Sequence, residues 1–274
     1  MPAETKPDPS TTSLELLFGA RYQTDYNSRG VSQSNRNGSF QTYAELQLLE
    51  NLFYLGFATQ QVDLVTRPPV EQDFTGGFRP KVGPLRFDFG FLYYNYPREH
   101  RLIDQIGKIY TPANTDFYEL VAKVSGTYQD TIALVGNVFH SGNWAGTHAA
   151  GTYGSVTAKY AIPERLLGVP GLALSGELGH FWLGTTSPQL GSIQLPDYTY
   201  FNAGLSYTWK VFTFDVRYHT TNLSEQNCYI LTADPSGAVT RSQRSTWCGS
   251  ALIVTLSVEF AGSAIPAIRR WASD

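Results

Sequence analysis

The last strand-like stretch of the chain, residues 249–260, most limits the folds open to it. Every second side chain in it is large and apolar: Leu252, Val254, Leu256, Val258 and Phe260. The intervening positions are mostly polar and end at Glu259. Successive side chains of a β-strand point to opposite faces, so the pattern predicts a strand with one apolar and one polar face. Its length is that of a tilted strand crossing a bilayer, about ten residues.

Stretches with the same alternation recur along the chain and predict twelve strands. They occupy residues 14–25, 39–49, 52–62, 72–80, 85–96, 116–128, 131–141, 152–162, 172–183, 197–209, 211–222 and 249–260. Five short turns, near residues 50, 82, 129, 167 and 210, alternate with six long loops. Bacterial outer-membrane barrels have even strand numbers, short turns at one end and long loops at the other. The sequence therefore predicts an all-β fold, a 12-stranded antiparallel up-and-down transmembrane β-barrel, in preference to a β-sandwich.

The composition excludes two other classes of protein. Only 16% of the residues are charged, yet no window holds 18 uninterrupted apolar residues, which excludes a transmembrane helix. The net charge is −3 and no basic patch is present, so we expect no nucleic-acid partner. Aromatic residues gather near the ends of the predicted strands, where barrels carry aromatic girdles at the bilayer interfaces.

Two short segments flank the predicted barrel. Residues 1–12 contain no hydrophobic signal core, and we interpret Met1 as a start codon that replaces a removed export signal. We expect these residues to form a flexible lead-in and residues 13–260 to form a single barrel. Residues 261–274 are then a C-terminal tail, to which the sequence assigns no role.

The two cysteines of the chain, Cys228 and Cys248, lie between the same two predicted strands. An even number of cysteines suits an oxidising compartment. We therefore predict a disulfide bond between them rather than two free thiols.

The polar strand faces predict the residues of the barrel interior, because charges on the lipid side are costly. Candidates for the lumen and its constriction are Arg21, Asp25, Glu45, Arg79, Arg86, Asp88, Glu119, Lys123, Glu177, Asp215, Arg217 and His219. Glu15, Asp73, Lys159 and Glu259 share this face. With nine acids and six bases, the interior is nearly balanced in charge. Charges of opposite sign on opposite walls could orient solutes in a water-filled pore. Alternatively, the same charges could form ion pairs that fill the interior.

Charges two residues apart on one strand face occur twice, in Arg86 with Asp88 and in the set Asp215, Arg217 and His219. This spacing fits a polar constriction. It fits structural ion pairs equally well.

An enzymatic alternative rests on His140 and Ser141, which are adjacent in a predicted strand. Adjacent strand residues point to opposite faces, whereas a nucleophile and its base need hydrogen-bonding contact. The G-x-S-x-G, H-E-x-x-H, phosphate-loop and paired C-x-x-C motifs are all absent from the sequence. We expect no catalysis, no cofactor and no metal site.

A motif at the junction of the first strand and the first loop covers residues 24–34, and Arg29, Ser32 and Gln33 are its candidate contact residues. This motif resembles the TorF-type porin family of Gram-negative bacteria. Looser matches are residues 93–97, residues 116–119, and residues 215 and 217–219. The resemblance covers residues 14–260 and implies an outer-membrane barrel. The tail after Phe260 departs from the family's usual end at the last strand.

The first loop itself has three interpretations. It could bind solute or fold inward, or it could form a tight turn of Asn, Gly and Ser residues, which we favour.

These patterns predict a porin-like channel in the Gram-negative outer membrane, through which small polar solutes diffuse passively. Its partners would be outer-membrane lipid and the solutes. The alternative is a non-conducting structural or adhesion barrel whose external loops bind a partner.

Overall fold

The computed structural model describes residues 14–102 and 111–264, and twelve long strands make up about half of these residues. They are β1 (Leu14–Gln23), β2 (Ser39–Leu48), β3 (Phe53–Gln60), β4 (Glu71–Phe78), β5 (Leu85–Asn95), β6 (Phe117–Tyr128), β7 (Ile132–Ser141), β8 (Gly151–Ala161), β9 (Leu172–Leu183), β10 (Tyr198–Trp209), β11 (Phe212–Thr221) and β12 (Ala251–Ala261). Each strand pairs antiparallel with the next, and β12 pairs with β1. The sheet is closed, which confirms the predicted 12-stranded antiparallel barrel.

The register between the first and last strands agrees with the alternation of both. Phe18 lies opposite Phe260, with 5.5 Å between the ring centroids, and Tyr22 lies opposite Leu256. All four side chains belong to the apolar sets of their strands. A shift of one residue would bring apolar side chains opposite polar ones, so the hydrophobic pattern specifies this register.

The outer face of the barrel is apolar. Leu252 on β12, Leu178 on β9 and Leu134 on β7 each belong to the apolar set of their strand, and they expose 67%, 59% and 53% of their surface. Folded proteins in water rarely expose a continuous apolar area of this extent. A closed barrel leaves no unpaired strand edge, so hydrocarbon can surround this apolar outer face on all sides.

Short helices occur in the connections of the described residues: α1 (Glu164–Leu167), α2 (Glu225–Thr232) and α3 (Pro235–Val239). Helices α2 and α3 both lie in the long loop between the last two strands. Ser224 caps the first turn of α2 and Asp234 that of α3, each accepting a backbone N–H bond. Ser and Asp are strongly preferred at this position. None of the helices in the described part of the chain is long and apolar enough to span a membrane.

The predicted disulfide bond between Cys228 and Cys248 is confirmed. It joins α2 to the residues just before β12, with 5.7 Å between the Cα atoms. Both cysteines are buried.

The ends of the predicted barrel fall close to the ends of the described chain. The last strand extends to Ala261, one residue past its predicted end, and a short 3-10 turn follows at Gly262–Ala264. The predicted lead-in, residues 1–12, lies outside the described residues, as do residues 265–274 of the predicted tail.

Replacing Leu256, which lies outward at the centre of β12, by arginine tests the assignment of the outer face. We expect a loss of about 2–4 kcal/mol in the free energy of unfolding from a lipid bilayer, because a charge at the bilayer midplane is costly. Urea titration in phospholipid vesicles measures it. Leu256→Ala is the matched control and has a smaller effect, whereas equal losses in both variants contradict the assignment.

Candidate functional site: a loop inserted into the barrel lumen

The first loop, residues 24–38, is folded around the buried carboxylate of Asp25. That carboxylate accepts hydrogen bonds from Ser32 Oγ at 2.5 Å and Ser34 Oγ at 3.1 Å, and Arg36 Nη1 lies 3.0 Å from it. The sequence predicts Asp25 in the first strand, but β1 ends at Gln23, so Asp25 lies in the loop. Asp25 instead determines the conformation of the loop.

A tight hairpin forms the tip of the first loop. Asn27–Ser28 pairs with Val31–Ser32, and Asn27 Oδ1 accepts a hydrogen bond from the Gly30 amide at 2.9 Å. The Gln33 side chain donates to the Val31 carbonyl at 3.1 Å, and Ser32 is fully buried. Two of the three motif residues, Ser32 and Gln33, thus hydrogen-bond within the loop. The tight turn expected from the sequence is present, and the whole hairpin also folds inward.

Arg29, at the hairpin tip, reaches the inner wall across the barrel. Its Nη1 and Nη2 atoms lie 2.6 and 2.7 Å from the two carboxylate oxygens of Glu119 on β6, which is completely buried. Strand β6 lies on the far side of the barrel from β1 and β2, which carry the loop. Burial alone would lower the pKa of Arg29, but Glu119 outweighs it and raises the pKa above the ordinary value. Arg29 therefore stays charged.

Aromatic rings from three adjacent strands surround the Arg29 guanidinium. Its central carbon lies 4.7 Å from the ring centroid of Phe139, 4.6 Å from that of Tyr153 and 5.2 Å from that of Phe181. Desolvated cation–π contacts at such distances are worth up to about 2 kcal/mol each. The guanidinium thus occupies a site of one carboxylate and three rings on the barrel wall.

Gly30 brings the loop tip against the wall formed by β10 and β11. Its φ of +88° lies in the left-handed region, and a Cβ there would collide with Thr221 and with the ring of Tyr200. Glycine alone combines this backbone conformation with so close an approach. The tip of the first loop consequently contacts the walls from β6 to β11.

The outer part of the first loop is held by the last loop, residues 222–250. Arg36 Nη2 donates to the Thr246 and Gly249 carbonyls at 2.7 and 2.8 Å. Trp247 Nε1 donates to Asn35 Oδ1 at 2.9 Å, and the Trp247 carbonyl accepts from the Ser32 amide at 2.9 Å. The disulfide bond fixes the neighbouring Cys248, so it stabilises the surface on which the first loop rests.

A second group of buried acids lies beside the inserted loop. The two oxygens of Glu71 accept hydrogen bonds from Tyr26 at 2.6 Å and Tyr96 at 2.8 Å, and Gln60 donates to both Glu71 and Asp73. Burial first, and then the charge of Glu71, raise the pKa of the Tyr26 and Tyr96 hydroxyls well above the ordinary value. Neither carboxylate forms an ion pair within residues 14–102 and 111–264. Glu71 was missed from sequence, although it shares the parity of Asp73.

A cavity of about 220 Å³ lies on the outer side of the inserted loop. Its lining includes Tyr26, Arg29, Glu71, Trp144, Tyr198 and Trp247. The cavity therefore combines aromatic surface with the guanidinium of Arg29 and the carboxylate of Glu71.

Below the loop, one set of predicted lumen residues forms an ion-pair network on β2–β5. Arg79 lies 2.7 and 2.9 Å from the carboxylate oxygens of Glu45, and its Nε lies 3.2 Å from Asp88. The guanidinium stacks 3.5 Å above the ring of Tyr54, whose hydroxyl donates to Asp88 at 2.9 Å. The structure brings Glu45, Arg79 and Asp88 together.

A second network lies on β9–β11. Arg217 bonds to Asp215 on its own strand at 2.9 Å, to Asn202 Oδ1 at 2.6 Å and to Ser175 Oγ at 2.7 Å. Glu177, another predicted lumen residue, accepts from Asn202 Nδ2 at 3.1 Å. It also accepts from the Tyr153 hydroxyl at 2.8 Å.

His219, also predicted for the lumen, lies near this second network. It is buried, and its Nδ1 is 2.7 Å from the Tyr200 hydroxyl, which in turn accepts from Asn202 Nδ2 at 2.9 Å.

Three predicted lumen bases lack an ion-pair partner among residues 14–102 and 111–264. Arg21 lies 5.6 Å from the ring centroid of Tyr43, and its Nε is buried without a hydrogen-bond partner. Lys123 Nζ lies 5.4 Å from the ring centroid of Phe139, and Arg86 lies near the short-turn end of β5. These bases leave positive charge in the interior that the networks do not neutralise.

His140 and Ser141 do not form a catalytic pair. His140 Nδ1 lies 2.9 Å from Thr152 Oγ1 on the outer face, whereas Ser141 is buried inside and its Oγ accepts from the Asn143 amide. The described residues also contain no group of three or more His, Cys, Asp and Glu side chains able to hold a metal ion.

Comparison with protein families gives one match. The model of a bacterial family of unknown function, Gcw_chp, matches residues 9–247. The chain belongs to this family. The search of curated proteins found no match.

Comparison with solved structures finds other barrels of low sequence identity. The KdgM porin in complex with disordered oligogalacturonate is 9% identical, with a TM-score of 0.48 over 90% of this chain and 97% of that one. The NanC porin is 10% identical, with a TM-score of 0.48 over 90% and 98%. An outer-membrane channel from Pseudomonas putida F1 is 10% identical, with a TM-score of 0.47 over 95% and 99%.

Replacing Gly30 by alanine tests the seating of the inserted loop. The left-handed conformation costs about 1–2 kcal/mol for a residue with a Cβ, so the loop amides should exchange hydrogen roughly tenfold faster or more. Hydrogen–deuterium exchange of residues 26–36 in the folded protein measures this. Gly142→Ala is the matched control, since a Cβ there meets nothing within 4 Å. Equal exchange in both variants contradicts the seating of the loop.

Proposed function

We propose that the protein is a porin-like channel of the Gram-negative outer membrane, through which small polar solutes diffuse passively. The observation that carries this proposal is a closed barrel with an apolar exterior and a charged interior. Burial of so many charges is costly unless they line a polar, wet interior or are fully paired. The resemblance of residues 24–34 to the TorF-type porin family supports the same function.

The proposed solute path passes between the two networks. The Arg79 network lies on one part of the wall and the Arg217 network on another. Arg86 and Lys123, which form no ion pair with any residue that the structure describes, add positive charge. Charged groups on separate walls of a pore tune its selectivity. In this proposal residues 13–260 form the channel, residues 1–12 are a lead-in and residues 261–274 are a tail.

The first loop favours a second candidate function, a non-conducting barrel whose external loops bind a partner. Its tip spans the lumen and pairs with Glu119, and the last loop covers its outer part. A barrel with a permanently seated loop would be structural or adhesive. The two functions differ in whether the tip of the first loop leaves its position against Glu119.

Reconstitution into planar bilayers separates the two functions. For a channel we expect stepwise conductance of the unaltered protein, and a larger step for Arg29→Ala, because the loop tip then lacks its ion pair. Arg244→Ala is the matched control, since the Arg244–Glu225 ion pair is exposed on the last loop. Silence of the unaltered protein and of Arg29→Ala at high protein load excludes the channel and favours the structural barrel.

Neutralising Arg86 and Arg217 together tests the solute path. Arg217→Gln leaves Asp215 without its counter-charge, and Arg86→Gln removes a base that has no ion-pair partner in the described part of the chain, so both changes make the interior more negative. We expect the reversal potential in a salt gradient to shift toward cation selectivity. Lys210→Gln, in the turn where Lys210 lies over the Trp209 ring, is the control. An unchanged reversal potential removes both arginines from the path.

A further inference from the structure

The Arg29 guanidinium occupies a site whose other components belong to the barrel wall. Glu119 lies on β6, Phe139 on β7, Tyr153 on β8 and Phe181 on β9. We propose that this wall site recognises small guanidinium solutes, and that Arg29 is an internal occupant which such a solute displaces. The proposal rests on the proposed channel function and adds to it a substrate class and a means of opening.

Glu119 makes the site selective for a cation. It is completely buried, and Arg29 is its ion-pair partner within the described residues. A carboxylate buried without a counter-charge is strongly unfavourable. Once Arg29 leaves, another cation is therefore favoured in its place, whereas an anion is excluded.

The shape of the site favours a guanidinium over other cations. Both oxygens of Glu119 accept N–H groups from Arg29 in a bidentate arrangement, which a planar guanidinium matches and a compact ammonium does not. The three rings offer their surfaces to a weakly hydrated planar cation. A neutral molecule of the same shape lacks the charge that Glu119 requires.

The wall site is held in place independently of the inserted loop. The Tyr153 hydroxyl donates to Glu177 at 2.8 Å, and the Tyr153 and Phe181 rings pack edge to face at 5.7 Å. Tyr94 donates to Glu119 at 3.2 Å from the neighbouring strand. Ordered strands supply all these contacts, so removal of Arg29 leaves a preorganised site.

A solute can approach the site from the outer cavity, because Arg29 lines that cavity. The Glu71 carboxyl group lies in the same lining, and the nearby Asp73 Oδ1 is buried with no hydrogen-bond partner among the residues that the structure describes. Neither acid has an ion-pair partner within residues 14–102 and 111–264. Glu71 therefore offers a carboxyl group to a cation in the cavity.

Displacement of Arg29 has a mechanical consequence for the first loop. The tip is seated by the Arg29 contacts and by the close fit of Gly30, whereas its outer part is held by Arg36 and Trp247. A solute in the wall site breaks the contacts of the tip alone. The turn at Arg29 and Gly30 then leaves the wall, while the contacts of Ser32, Arg36 and Trp247 keep the rest of the loop attached.

Calorimetric titration with methylguanidinium tests the binding site without reference to conductance. With the full chain in detergent, we expect Arg29→Ala to bind methylguanidinium at least tenfold more tightly than the unaltered protein, because no internal arginine competes. Adding Glu119→Gln to Arg29→Ala should abolish binding. Methylurea, the neutral molecule of similar shape, should bind neither Arg29→Ala nor the double variant that also carries Glu119→Gln. Arg29→Gln repeats the test in case Arg29→Ala folds poorly, and heat-modifiable electrophoretic mobility reports folding.

The outcomes separate this inference from the channel proposal. If Arg29→Ala and Arg29→Gln bind methylguanidinium no better than the unaltered protein, or if binding survives Glu119→Gln, the wall site is overturned.

In planar bilayers, we expect external methylguanidinium to raise the conductance of the unaltered protein and to block that of Arg29→Ala intermittently. Binding in detergent with silent bilayers supports the site and overturns the channel. Conductance without binding overturns the site and leaves the channel.

Discussion

The pairing of β1 with β12 is the constraint on which the rest of the structure depends. A strand surrounded by hydrocarbon must have all its backbone N–H and C=O groups bonded to neighbours, and only a closed sheet provides this. Closure makes one face of every strand external and the other internal. The apolar side chains then form one belt, and the polar side chains share one interior space.

Charges in that shared space need partners, and the structure supplies them in two ways. Some inward acids and bases pair within the wall, as Arg79 does with Glu45 and Asp88, and as Arg217 does with Asp215 on its own strand. Glu119 is different, because its partner comes from a loop that enters from the far side of the barrel. A wall residue that depends on a loop for neutralisation links the position of the loop to the electrostatics of the lumen. Any ligand that competes for Glu119 therefore acts on the loop as well.

The last loop and its disulfide bond give the first loop a second fixed point. The Cys228–Cys248 bond holds the residues that accept hydrogen bonds from Arg36 and Ser32. The first loop is thus seated at its tip by electrostatics and at its outer part by backbone contacts. The two attachments involve different residues, so the turn at Arg29 and Gly30 can move while Asp25 and the residues bonded to it stay in place.

The sequence by itself determined the strands, their faces, the alternation of turns and loops, and the cysteine pair. These follow from a local period of two residues and from composition, both of which are visible without long-range contacts. Asp25 shows where this reasoning ends, since its parity continues that of β1 although the strand stops at Gln23. Only the tertiary structure decided that Arg29 meets Glu119, ninety residues away, and that Gly30 fits against Tyr200. Contacts across a lumen depend on barrel closure and on the path of a loop, neither of which leaves a periodic signal in the chain.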